Sequence, residues 1–319
     1  FNDLLARLDA AWQLQREFIA NAAHELRTPI AALRAEVEAI VSARARSILA
    51  IQFDKVARLL TQLLALAEDL NTHMPLRPGD FRIETDRYVI VFGATEGPHG
   101  TVVQRFRIPN GEVSQTLSDI RARIRAYGRK EALFEVGPSA FPTDLATQLH
   151  QHGVLPFELE QVTESLLLEH PKSGWLPPWS DSIRIERVQD FDAYRRSQRV
   201  FWSCFGHTPD DFEESVSNDY ACYRASPLWL RFSASIDGNV VGAGDVVFTE
   251  EAAILCGGAT DPAFRSQGVY RALLSARYEE ACRHGMPRLL TQAGHMSQPI
   301  LRRLGFVPLC RVQILHDQL

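Results

Sequence analysis

Ala252-Ala-Ile-Leu-Cys-Gly-Gly-Ala-Thr-Asp-Pro-Ala-Phe-Arg265-Ser-Gln-Gly268-Val-Tyr-Arg271-Ala-Leu-Leu274 decides how the chain is read. A short apolar run with the pattern of a buried strand passes through Asp261-Pro262 into a basic, glycine-containing turn, and the turn opens directly into an amphipathic helix. The first turn of any helix leaves backbone N–H groups unpartnered and carries the positive end of the helix dipole, so the layout suits an anion. Gly268 lets that anion reach the backbone, and Arg265 and Arg271 add charge. Cys256 lies in the apolar strand and reads as core rather than as a nucleophile.

Working outward, residues 181–319 alternate in a definite order: strand 182–188, a helix from Phe191 to Phe205, a second helical stretch over 210–224, and strands over 228–236 and 240–249. The opening stretch follows, then a strand over 288–292, a helix over 297–304 stopped by Gly305, and a last strand over 309–315. With this order around it, Arg265-Ser-Gln-Gly268-Val-Tyr270 resembles the acyl-CoA pyrophosphate loop of the GNAT superfamily of N-acyltransferases. The family pattern is Arg or Gln, two residues, Gly, one residue, then Gly or Ala; Tyr270 stands at the last place.

The resemblance implies an α+β fold, a mixed central sheet with flanking helices, in which the strand before the loop splays from its neighbour. Gly258, Ala259 and Thr260 would then pair with pantetheine, while Arg265, Ser266 and the N–H groups of Gln267, Gly268, Val269, Tyr270 and Arg271 would hold the pyrophosphate. The implied cofactor is acetyl-CoA or another acyl-CoA with no metal, and the implied reaction is acyl transfer to an amine acceptor, small molecule or protein. A protonated amine is no nucleophile, so a base is needed, and a backbone N–H can stabilise the oxygen that turns negative. Asp245 and Glu250 are the base candidates; each also reads as a solvated or turn carboxylate. Relatives place a proton-donating Tyr four residues before the helix-ending Gly, where Leu301 stands here; Ser297 and Tyr270 are the substitutes. Trp175, Trp179, Trp202 and Phe205 read as core or as walls of an acceptor pocket.

The rest of the chain bounds this reading. With 319 residues, 45% hydrophobic and 23% charged, it has room for more than one globular domain. A net charge of -5 argues against a general nucleic-acid or anionic-membrane binder. Five scattered cysteines without a C-x-x-C pair fit a reduced, cytoplasmic setting, and no apolar run reaches the ~20 residues of a membrane helix. The chain opens at Phe1, which fits a fragment of something longer.

Residues 1–72 read as an all-α helical hairpin, with a seam through Ile19, Ala22, Leu26, Ile30, Leu33 and Val37 and a second through Phe53, Val56, Leu60 and Leu63. So small a core seeks a partner, and pairing two hairpins into a four-helix bundle predicts a homodimer. Phe18-Ile-Ala-Asn-Ala-Ala-His24-Glu25-Leu-Arg27-Thr28-Pro29-Ile30 resembles the phosphoacceptor box of sensor histidine kinases. His24 would be the phosphoacceptor, Glu25 would hold its other ring nitrogen, and Thr28 would position water. Nothing after residue 72 resembles the ATP-binding domain of that family, so either a kinase and a response regulator act in trans or the hairpin serves only to dimerise the chain.

Residues 73–80 are rich in turn formers and mark a junction. Residues 81–180 repeat the order of the C-terminal part, with strands at 88–92, 102–108 and 132–136, a helix from Glu112 to Tyr127 and a closing strand near 164–168. They read as a partial GNAT-like half without a phosphate loop, or as an unrelated α+β cap. The complete domain is then 181–319. Three functions stay open: an N-acetyltransferase dimerised by its hairpin, a two-component phosphoacceptor whose GNAT unit senses acyl-CoA, and a catalytically weakened GNAT fold that binds CoA structurally.

Overall fold

The computed structural model describes residues 59, 61–93, 97–169, 171, 175–176, 179–205 and 212–319; His24, Glu25, Thr28 and the hairpin seam lie outside these. One twelve-stranded sheet runs through the described chain in the order β1-β2-β3-β4-β12-β6-β11-β10-β9-β8-β7, with the short β5 paired to β12. The first half supplies β1 (Phe81–Glu84), β2 (Val89–Phe92), β3 (Thr101–Gln104), helix α2 (Val113–Ala126), β4 (Glu131–Val136), α3 (Leu145–Gln151), β5 (Leu155–Pro156) and β6 (Val162–Glu169). The second supplies β7 (Ile183–Arg187), α4 (Phe191–Cys204), α5 (Phe212–Arg224), β8 (Trp229–Ile236), β9 (Asn239–Phe248) and β10 (Ala253–Thr260). It continues through α6 (Val269–Arg283), β11 (Arg288–Ala293), α7 (Gln298–Arg303) and β12 (Val307–Gln318). The mixed sheet with helices flanking it is the α+β architecture the sequence implied.

Neighbouring strands are antiparallel except β3·β4 and β10·β11, and each of those parallel contacts is two residue pairs long. Each half thus contains one parallel strand pair with only a short shared ladder. The closing strands are exchanged. β6 of the first half lies against β11 of the second, and β12 of the second lies against β4 of the first, with β6 and β12 antiparallel at the centre. Period-two alternation then builds both faces from the same strands. Val246, Leu255 and Leu289 turn to the core under α6, whereas Val247, Ile254 and Leu290 turn to the opposite one.

That opposite core contains a segment expected to belong to the hairpin. Helical residues 61–68 and α1 (Leu70–His73) bring Leu63, Leu66, Ala67 and Leu70 against Val247, Ile254, Leu290 and Val312. An apolar stripe at helical spacing is the same pattern whether its partner is a helix or a sheet, which is why the sequence did not separate the two. The turn-rich stretch after it is pinned as well: Trp229 Nε1 donates to the Pro75 carbonyl at 3.4 Å, and the Arg77 guanidinium lies over the Trp229 ring.

Three strands differ from expectation, among them β5, two exposed residues that the sequence did not announce. β3 ends at Gln104 rather than Ile108, because Arg105 adopts a left-handed φ of 55°, with its N–H bonded to Asp69 Oδ1 at 3.1 Å. β1 was not foreseen, having only four half-exposed or exposed residues.

Buried acids gather where α1 meets the first half. Glu68 accepts from the Ser139 N–H and hydroxyl, Glu135 from Gln104, and Thr72 N–H donates to Gln104 Oε1 at 3.0 Å. Desolvation pushes Asp69 up to about 7, helped by Glu68, and pushes Glu135 up to about 7, helped by Asp69. Between the ordinary carboxylate value of ~4 and 7, the folded chain holds more protons than the unfolded one, so stability falls as pH rises through that window. Asp69→Asn keeps an acceptor for Arg105 and should flatten that fall: melting temperatures of wild type and variant, taken at about pH 5 and about pH 8, should diverge least at the acidic end.

Candidate functional site

β10 and β11 pair only through Ala253 with Leu289 and Ile254 with Leu290. One side-chain link follows, Thr291 Oγ1 to the Leu255 carbonyl at 3.1 Å, and the strands then separate. On its other edge β10 stays paired with β9 through Gly258, Ala259 and Thr260, across a bulge at Gly257. Those three residues thus have one satisfied edge and one that no described strand covers, with Gly257 and Gly258 exposed. Thr260 Oγ1 is buried without a hydrogen-bond partner among the described residues.

The same strand leads into the basic loop. Asp261 caps a short 3-10 turn (Pro262–Phe264) by accepting from the Ala263 N–H at 2.9 Å. Arg265, Ser266 and Gln267 are exposed, with Ser266 at φ 65°. Gly268, at φ 98°, is the N-cap of α6 and offers no side chain to its first-turn N–H groups. A residue with a Cβ is excluded twice at Gly268, by the backbone angle and because that atom would stand 2.7 Å from Trp179 Cβ. Val269 is buried, Tyr270 half-buried against Gly258, and Arg271 beside them in the first turn. An uncapped helix N-terminus, an exposed arginine and an unpaired strand edge converge, and this is the donor set that a phosphate-bearing cofactor with an amide-containing arm requires.

Burial raises the Tyr270 phenol above its usual range, with the Arg277 charge opposing. Arg277 is fully buried; its Nη1 donates to the carbonyls of Asp245 at 3.2 Å and Gly257 at 3.3 Å, and its Nε to Leu273 at 3.1 Å. The guanidinium thereby braces the bulge.

The sequence-expected bases fare differently from the loop. Asp245 is buried, and both carboxylate oxygens are taken by Arg231, at 2.6 Å and 2.8 Å. Arg231 is also hydrogen-bonded to Gln198 and sandwiched by the Tyr194 and Phe201 rings. Asp245 is therefore half of a buried structural ion pair, each oxygen already accepting from Arg231. Glu250 lies not on a strand but in the exposed turn that precedes β10, at the end opposite the splay. The bulge at Gly257 lies seven positions further along the chain, about 23 Å if extended. Ser297 is the N-cap of α7 and its hydroxyl points back to the Gly294 carbonyl. Leu301 is sealed in the core.

The Cys256 thiol is half-buried, and desolvation together with Asp245 pushes it up to about 12, so it is no nucleophile at neutral pH. The aromatic residues do not form one wall. Trp175 packs edge-on against Tyr278, Trp202 packs with Phe212 in a separate cluster, Trp179 closes on Gly268, and Phe205 is exposed. A pair the sequence reading missed stands at the end of the splay: Glu160 with His295, 2.9 Å apart. Its members are far apart in sequence and come from different halves, so no local motif announces it.

Comparison with known proteins defines the class. Residues 191–306 match the Acetyltransferase (GNAT) family and residues 14–72 the His Kinase A (phospho-acceptor) domain. The chain therefore carries a GNAT domain behind a kinase-type phosphoacceptor domain.

Among solved structures, a GCN5-related N-acetyltransferase from Kribbella flavida is similar in fold, with a TM-score of 0.61 at 17% identity over 80% of this chain and 95% of that one. A tandem GNAT protein from the clavulanic acid biosynthesis pathway reaches 0.55 at 14% identity over 82% and 95%. A curated sensor protein for swarming motility regulation, RssA of Serratia marcescens, is 40% identical over 83 residues, 24% of this chain. The chain spans only 18% of that relative's length. Among the described residues no helix is long and apolar enough to cross a membrane.

Arg231→Ala leaves Asp245 charged and unpartnered in the core. It is expected to lower unfolding free energy by about 3–5 kcal/mol in denaturant titration, and Arg231→Met with Asp245→Leu should recover much of that loss.

Proposed function

We propose that the chain is a CoA-dependent N-acyltransferase that moves an acetyl group from acetyl-CoA to an amine acceptor. The observation that carries the reading is the uncovered edge of β10 running straight into the glycine-capped N-terminus of α6. Gly258, Ala259 and Thr260 would hold the amide-bearing arm by backbone pairing; the N–H groups from Gln267 to Arg271, with Arg265, would hold the pyrophosphate. When bound, the cofactor supplies a thioester whose carbonyl carbon is open to attack by an amine. Gly257 and Gly258 would offer exposed backbone N–H groups to an oxygen that turns negative, and a side chain of the chain would have to take a proton from the amine. The division of the chain in this proposal is a hairpin at 1–72 that dimerises it, a junction at 73–80, a partial GNAT-like half at 81–180 that carries no coenzyme, and the catalytic half at 181–319.

Thiol release from acetyl-CoA, followed with a panel of small-molecule and peptide amines, tests the reaction; binding of acetyl-CoA without turnover on any amine would remove it. Arg265→Ala, on an exposed side chain, should weaken acetyl-CoA about ten-fold in calorimetry while leaving the melt unchanged, as expected for one charged hydrogen bond.

The match of residues 14–72 to a phosphoacceptor domain supports a second reading, in which His24 receives a phosphoryl group from a kinase in trans and passes it to a response regulator while the GNAT half reports on acyl-CoA. Transfer of label from ATP to wild type but not to His24→Gln by an added histidine kinase is its test.

A further inference from the structure

We infer that Glu160 and His295 form the proton-accepting pair for the amine, an assignment that rests on the acyltransfer reading above. Both lie at the end of the sheet where β10 and β11 have parted. β11 finishes at Ala293, whose partner on the far side is Glu164 at the start of β6, and His295 follows two residues later, before α7. Glu160 precedes β6 and comes from the first half of the chain, so the pair bridges the exchanged strands.

One carboxylate oxygen fixes both the ring and the main chain of the histidine. Glu160 Oε2 accepts from His295 Nδ1 at 2.9 Å and from the His295 backbone N–H at 2.9 Å. A carboxylate only accepts, so Nδ1 must carry the hydrogen, and in the neutral ring Nε2 is left with its lone pair. The pair has required room. A Cβ at Gly294 would overlap the Glu160 carboxylate, and Gly294 does not have a positive φ that would otherwise call for glycine.

The imidazole is open to solvent, its side chain 70% exposed, and no described residue bonds to Nε2. Glu164, a second carboxylate at this end, is engaged elsewhere. Glu164 is buried with Arg302 at 2.7 Å and 2.6 Å, Gln298 at 2.7 Å and Arg311 at 3.4 Å around it. With Asp245 locked by Arg231 and Glu250 at the far end, His295 is the base that the splay offers.

The chemistry balances without another reactant. The ammonium form of the acceptor gives one proton to Nε2, and its freed lone pair forms the N–C bond as the C–S bond breaks. The second proton lost from nitrogen neutralises the departing thiolate, and His295 returns the first to solvent.

The test uses the full chain. His295→Asn is expected to lower kcat/KM for an alkylamine at neutral pH by about a hundred-fold or more and Glu160→Gln by about ten-fold, with acetyl-CoA affinity unchanged by calorimetry. An acceptor already neutral at that pH, such as an arylamine or a hydrazine, should show little deficit with either variant, which a purely structural role would not reproduce. Independently of turnover, nitrogen NMR of the unliganded protein should find the Nδ1-protonated ring in wild type and a mixture of tautomers in Glu160→Gln. Wild-type turnover that His295→Asn leaves intact, or an equal loss on both kinds of acceptor, overturns the assignment alone. A wild type that binds acetyl-CoA yet acylates no amine overturns the acyltransfer reading and the base with it.

Discussion

Ile254 and Leu290 are the last residues at which β10 and β11 share a ladder, and the separation beyond them is the constraint on which the rest of the molecule depends. A parting of strands inside a sheet exposes backbone groups that water or a ligand must satisfy. It also needs a bend, which the Gly257 bulge provides at φ 50°, with the Phe201 ring filling the space a side chain would take. The carbonyl of Gly257 in the bulge and that of Asp245 on the neighbouring strand both accept from the buried Arg277 guanidinium. Burial lowers the Arg277 pKa and works against its charge; donating to those carbonyls offsets that cost. Gly244 completes the arrangement, since a Cβ there would stand 2.9 Å from Arg277 Cζ. A single irregularity in one strand thus explains a buried cation and glycines on two neighbouring strands.

The exchange of closing strands makes the two halves one body. Because β6 backs β11 and β12 backs β4, neither half can move without breaking ladders in the other. The end of the helical segment is tied to the same centre. The Ala67 carbonyl accepts from Ser165 on β6 and from Gln292 on β11 at 3.5 Å, while Glu68 and Thr72 bond into the first half. The family match for the phosphoacceptor domain ends at residue 72, so its last turns are part of the sheet's core and not of a free linker. A displacement of that helix would have to expose Leu66 and Leu70 and break buried polar bonds.

Much of this was legible beforehand, for physical reasons. The run 253–260, the loop through Arg265 and Gly268, and the helix to Arg283 depend on local pattern, and each fell where its residues put it. The repeat of the element order in the two halves was legible for the same reason. What escaped depends on contacts between distant residues. Nothing local says that Asp245 will meet Arg231 across a strand pair, that Leu63 to Leu70 will pack on the sheet, or that Glu160 will cross to His295. The glycine at 294 was the one trace of that last contact, and alone it was indistinguishable from a turn.

The substitution at 301 bears on how the chemistry is divided. Leu301 packs in the core beside Phe306, so the missing phenol is not a vacant place in the site but a position closed to solvent. The two proton transfers in acyl transfer make unequal demands. A thiol of ordinary acidity, near ~8.5, leaves as thiolate at neutral pH with little help, whereas an alkylamine near ~10.4 stays protonated unless something takes its proton. Loss of the acid therefore slows the reaction less than loss of a base would. On the acyltransfer proposal, a site with a solvent-facing imidazole held at Nδ1 and a leucine at 301 would keep the proton acceptor, the more demanding of the two roles at neutral pH.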